Sequence, residues 1–147
     1  MRLGRGSSHV IPIDISFNDP ICSSELFQLQ SGVSILVANR EDIVAEKLRA
    51  LLQQPIRNRL HRQDVLDLAV LIRNTDLDRL NVAAYLQIKA EARDVDVSKT
   101  VFRHEEIRIR ASYDYASLQA LTRNHFIPFD EAFVIVLAFV DELEIPD

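Results

Sequence analysis

The chain has no tryptophan, one cysteine and only three glycines, and each shortage removes a class of protein. A lone Cys22 cannot form an internal disulfide, and with no CxxC pair or Cys/His cluster there is no zinc-site pattern. Cys22 reads as a small residue of a strand or loop. No apolar run reaches the ~20 residues that a membrane-spanning helix needs, and the longest uncharged one, Ala132–Val140, has the length of a core helix. The opening "MRLGRGSSHVIPIDIS" places basic residues before a Gly/Ser segment without an apolar stretch, so it does not read as a signal peptide. The cytoplasm is the expected location. Also missing are a GxxxxGK phosphate loop, a GxSxG elbow and an HExxH zinc motif. Positive charge is in deficit, with a net charge of −5. That excludes a protein that coats nucleic acid by bulk charge, so any polyanion site must be local.

What is present is helix-forming and divided. With 48% hydrophobic and 27% charged residues in 147, the chain has enough apolar sequence for one domain with its own core. All three glycines lie in the first 32 residues. The expected fold is α+β and mostly helical: residues 1–147 form a single compact unit, with a strand-bearing part over 1–39 and a helical bundle over 40–147. "HVIPIDISF" alternates at period two and reads as a strand, with Pro12 favouring an edge. "ELFQLQSGVSILVAN" reads as a strand pair around Ser31–Gly32. Asn39 is placed to cap a helix over Arg40–Gln54, which Pro55 should end. A basic connector, "IRNRLHR", leads to a buried helix, "QDVLDLAVLIRN". Further helices are expected over Leu77–Arg93, from Ser98 or Thr100 to about Leu121 with a break near Ser112, and from Pro128 onward.

In "AEKLRALL" a lysine stands where a helix would bury its apolar side. At about 100° per residue, Val44, Leu48, Leu51 and Leu52 form one arc, and Lys47 falls between Ile43 and Leu51. Asp42, Glu46 and Arg49 occupy the opposite, outward-reading face. Lys47 therefore either snorkels along the core or faces an anion. The next helix repeats the pattern, because Asp64 and Asp67 share one edge of an otherwise apolar segment. Buried carboxylates need partners, and two helices joined by a short connector pack as a hairpin, so a Lys47–aspartate salt bridge is the structural explanation. Asp14 interrupts the first strand, as a solvent-facing residue or a metal or hydroxyl ligand. Arg57, Arg59, His61 and Arg62 make a compact basic patch, either a solvated loop or a grip on RNA backbone. The Asp-x-Asp strings at Asp76–Asp78 and Asp94–Asp96 fall at helix boundaries, where capping explains them.

Together, "VANREDIVAEKLRALLQQ" and "HRQDVLDLAVLIR" resemble the AbiEii/AbiGii toxin family of nucleotidyltransferases. The likeness is clearest from Asp14 to about Arg73, and "YDYASLQAL" with the closing helix is similar to the family's C-terminal helices. The resemblance implies a small, partial nucleotidyltransferase-type sheet followed by helices. It also implies Mg²⁺-dependent transfer of a nucleotide from an NTP, in some members onto tRNA, as the toxin of a toxin–antitoxin pair. By motif, Lys47 would meet the triphosphate and Asp64 would be the acid of the second helical motif. Asp67 would be its companion, and Asp14 a core carboxylate and metal ligand. The family's first motif, a Gly-Gly or Gly-Ser turn followed by Asp-x-Asp, is not matched, since Gly6–Ser7 leads only to Asp14-Ile15-Ser16. The expectation is a truncated member, inactive alone, complemented by a missing N-terminal half or assembled as a homo-oligomer. The alternative is a non-catalytic, oligomerising interaction module.

Overall fold

The computed structural model describes residues 15, 17, 19–58, 60 and 62–147. Two short strands, β1 (Ser24–Gln28) and β2 (Ser34–Ala38), precede six helices: α1 (Arg40–Arg57), α2 (Arg62–Asn74), α3 (Arg79–Glu91), α4 (Lys99–Phe102), α5 (Glu105–Ser112) and α6 (Phe129–Asp141). Two 3₁₀ turns, Tyr115–Ala120 and Arg123–His125, lie between α5 and α6. This is the α+β architecture expected, with a small antiparallel sheet leading into helices. Among the described residues no helix is long and apolar enough to cross a membrane.

The strand pair forms around Gly32, whose φ of +84° suits a residue without Cβ. Backbone bonds between Leu29 and Val33 and from Gly32 to Leu29 close the turn. The register pairs Leu26 with Leu36 and Phe27 with Ile35. The strand expected over residues 9–17 falls mostly outside the described residues; of that segment Ile15 and Phe17 are described, and both are exposed and outside any strand.

Helix α1 is the hub, packing against α2, α3 and α5, while α2 packs in turn on α6. Val44, Leu48, Leu51, Val65, Leu66, Leu68, Val82, Leu86, Phe133 and Val136 share one apolar core. Burying each such leucine contributes about 1.5–3 kcal/mol. Asn39 caps α1 as expected, its side chain accepting the Asp42 N–H at 2.9 Å. Asp78 and Ser98 do the same for α3 and α4.

Three expectations need correction. The stretch from Ser98 to Leu121 is α4, α5 and a 3₁₀ turn, broken at Arg103–His104 as well as after Ser112. Helix α1 does not end at Pro55 but runs to Arg57, with Asn58 in the left-handed cap conformation. Pro55 has no N–H to give the Leu51 carbonyl four residues earlier, and the side chain of fully buried Gln54 bonds that carbonyl instead, at 3.1 Å. The helix thus continues past Pro55 with Gln54, in its last turn, replacing the missing donor.

The third correction concerns the polar face of α1. Asp42 and Arg49 do not face solvent; both are buried, Asp42 against Lys89 of α3 and the segment ahead of β1, and Arg49 bonded to Glu46 and Gln53 of its own helix. Asp42 and Lys89 are each 3% exposed and form an ion pair at 3.1 Å. Lys89 also donates to the Pro20 carbonyl at 2.6 Å, and Asp42 accepts the Cys22 N–H at 2.7 Å. Asn39 holds Ser23 through backbone and side chain, and Arg93 holds Asp19. Breaking one partner out of such a buried pair costs about 3–5 kcal/mol. Burial raises the Cys22 thiol pKa, Lys89 opposes this and Asp42 adds to it, which keeps the thiol protonated and unreactive at neutral pH.

Replacing Gln54 by Leu should lower stability by about 1–3 kcal/mol, the usual cost of a buried carbonyl left without a donor. Adding Pro55→Ala restores the backbone donor, so in urea unfolding the Gln54→Leu penalty should shrink in that background. An equal penalty in both backgrounds would show that the Leu51 carbonyl is not what Gln54 serves.

Candidate functional site

Lys47 leaves α1 one turn before Leu51, on the side facing α2, and its neighbours decide what it meets. Asp64 and Asp67 are three residues apart on α2 and so lie on one edge of that helix. The ammonium donates to Asp64 Oδ1 at 2.8 Å and to Asp67 Oδ2 at 2.8 Å. The expected Lys47–aspartate salt bridge forms, and the helical hairpin brings both aspartates to the lysine rather than one. The Lys47 side chain keeps 23% of its exposure, so the group sits at the rim of the core and is reachable from solvent.

Burial by itself would pull the Lys47 pKa down, but hydrogen bonds and charge from Asp64 and Asp67 outweigh it and hold the pKa above the ordinary lysine value. Lys47 is therefore a permanent cation at physiological pH. Asp64 and Asp67 thus set two carboxylates against the Lys47 ammonium, with the Arg62 guanidinium on the wall of the same cleft. An ammonium has three N–H donors; the aspartates take two, and the third is available to an incoming acceptor.

Two clefts flank this bridge. One, of about 440 Å³, is polar and lined by Lys47, Leu60, Arg62, Gln63, Asp64 and Asp67. The other, of about 390 Å³, is mainly aliphatic, and Thr122 and His125 complete its wall. Both lie within the range of small-molecule sites. Sequence reasoning missed Thr122 and His125, which belong to irregular backbone with no hydrophobic period to mark it. Tyr115, also missed, is buried nearby; its hydroxyl donates to the Ile127 carbonyl at 3.0 Å, and burial together with the Asp67 charge pushes its pKa up to about 12.

The other expected residues are distributed differently. Asp14, Arg59 and His61 lie outside the described residues. Arg57 is exposed in the last turn of α1, where a cation complements the helix dipole. Arg62 opens α2, lines the polar cleft and pairs with Asp114. Among the described residues no three His, Cys, Asp or Glu side chains are grouped to hold a metal ion, and the two carboxylates here are both engaged by Lys47.

Alkaline pH tests this description. Tyr115 has a folded-state pKa above its unfolded value of about 10, so the native state holds its proton longer and stability falls as pH rises from about 10 to about 12. Lys47 has the same sign, with its contribution complete below the ordinary lysine pKa and lost above it. Stability followed by urea unfolding should decline over that window, and less steeply in Tyr115→Phe. An identical decline in the variant would remove Tyr115 from the account.

No curated protein and no solved structure matches this chain. A family model described as the nucleotidyl transferase AbiEii toxin of a type IV toxin–antitoxin system matches residues 1–133. With most of its length matched, the chain belongs to the AbiEii nucleotidyltransferase toxin family.

Proposed function

We propose that this protein binds a nucleoside triphosphate at the Lys47 centre, with Lys47 contacting the phosphates and Asp64 and Asp67 positioning its ammonium. The observation that carries the reading is the placement of a permanently charged, partly exposed lysine on the wall of a polar cleft that also holds Arg62. A lysine point charge at such a position stabilises the charge that builds on a leaving pyrophosphate. The reaction class is the family's, transfer of a nucleotide from an NTP to an acceptor such as tRNA, and an antitoxin is the partner that membership implies.

Two carboxylates already contact the Lys47 ammonium, so a polyphosphate entering beside them would bring an accompanying cation such as Mg²⁺. Calorimetric titration of the purified chain with each NTP in Mg²⁺ should give saturable binding. Lys47→Ala should weaken it tenfold or more with an unchanged circular dichroism spectrum, and Lys47→Arg should keep part of it. Equal affinity in Lys47→Ala would sink the reading, as would the absence of heat with every NTP.

A second reading, a self-associating interaction module, is favoured by the strand pair. Leu26 and Leu36 lie opposite each other on one face and are 75% and 69% exposed. Phe27 and Ile35 are exposed on the other face, while the base of the hairpin is fixed by the Lys89 and Asn39 contacts. An anchored sheet with apolar residues on both faces, and edges that no other described strand covers, is suited to pairing with a second copy. Light scattering should then show a dimer that Leu26→Asp with Leu36→Asp converts to monomer. A monomeric wild-type protein would dismiss this reading and leave the nucleotide reading intact.

A further inference from the structure

We infer that the aliphatic cleft on the far side of Lys47 is a nucleobase subsite, and that residues of the 3₁₀ segment before α6 select the base. This deepens the nucleotide-binding reading and rests on it. The two clefts share Lys47 and Asp67 as a common wall. Along α2 their character changes in order. Near Asp64 the lining is charged, with Lys47 and Arg62. From Leu66, half a turn on, to Val70 and Leu71, nearly two turns on, the lining becomes aliphatic and is completed by Thr122 and His125. Further still, a hollow of about 200 Å³ shares Val70 and His125 with the aliphatic cleft and adds Asn74 and Asn124.

A nucleoside triphosphate has the same sequence of chemistry from one end to the other. Its phosphates are anionic, the faces of its base are apolar, and the edges of its base carry hydrogen-bonding groups. From Asp64 to Val70 is six residues of helix, about 9 Å at ~1.5 Å per residue, a span comparable with a ribose and its base. Phosphates held at Lys47 would thus place the base over Leu66, Val70 and Leu71. The amide of Asn124 and the imidazole of His125, both exposed, supply the donors and acceptors that distinguish one base edge from another. Few polar groups set on an apolar floor is the usual form of a selective small-molecule pocket. The Lys47–Asp67 contact then acts as the divider between the phosphate and base compartments.

The test compares each of the four NTPs with inorganic tripolyphosphate by calorimetric titration of the full chain in Mg²⁺. Wild type should bind at least one NTP ten times or more tightly than tripolyphosphate. Val70→Trp, which fills the aliphatic cleft, should remove that advantage while leaving tripolyphosphate affinity unchanged. Asn124→Ala, at an exposed position that does not burden folding, should narrow the preference among the four NTPs, again with tripolyphosphate unaffected. The subsite is overturned, with the phosphate reading of Lys47 standing, if NTPs and tripolyphosphate bind wild type equally well. The same holds if Val70→Trp and Asn124→Ala both bind NTPs as wild type does. If neither NTPs nor tripolyphosphate bind wild type, the phosphate reading and the subsite fall together.

Discussion

From Val44 to Gln54, helix α1 has no exposed residue, and the rest of the structure answers to that constraint. A helix with so little exposed surface leaves little water to solvate its ionisable side chains, so they find partners inside the protein. Lys47 finds Asp64 and Asp67 on α2. Asp42 finds Lys89 on α3, and Arg49 bonds Glu46 and Gln53 within its own helix. Among the described residues no buried side-chain nitrogen or oxygen lacks a partner. The polar contacts thereby fix which helix lies on which side of α1, because the apolar core alone would tolerate several arrangements.

The two lysine centres differ in access, and that difference separates structure from chemistry. Lys89 is closed off, donating to Pro20 and pairing with Asp42, and it fastens the segment that leads into the hairpin. Lys47 is held with similar geometry but at the rim, between two clefts and with part of its surface in solvent. A fully enclosed ammonium can stabilise a fold. An ammonium at the mouth of a cleft can also exchange contacts with a ligand. The same residue type thus serves two purposes, decided by how much of the ion remains reachable.

The small sheet presents the opposite situation. Its base is tied down by Asn39, Asp42 and Lys89, yet the strands beyond it bury almost nothing. A two-stranded hairpin is marginal by itself, so here the anchoring contacts, rather than the strands' own packing, hold its position. The helical part positions the candidate site, and the hairpin stands beside it as the surface most in need of a partner.

Much of the helical region was legible in the sequence because local rules decide it. The caps at Asn39, Asp78 and Ser98, the turn at Gly32 and the shared edge of Asp64 and Asp67 all follow from spacing and side-chain chemistry within a few residues. Lys47 betrayed itself by sitting on an apolar arc. Lys89 carries the same signal, lying with Val82, Leu86 and Ala90 on the buried side of α3, and periodicity alone would have flagged it. What the sequence could not determine was which neighbour covers each face. That Asp42 and Arg49 are inside, that Gln54 carries the helix past Pro55, and that Thr122 and His125 close a cleft beside Lys47 depend on residues distant in the chain or on backbone without a period. Local sequence set the helices and their charges; only tertiary packing decided which of those charges lost their water, because desolvation is a property of the neighbours and not of the residue.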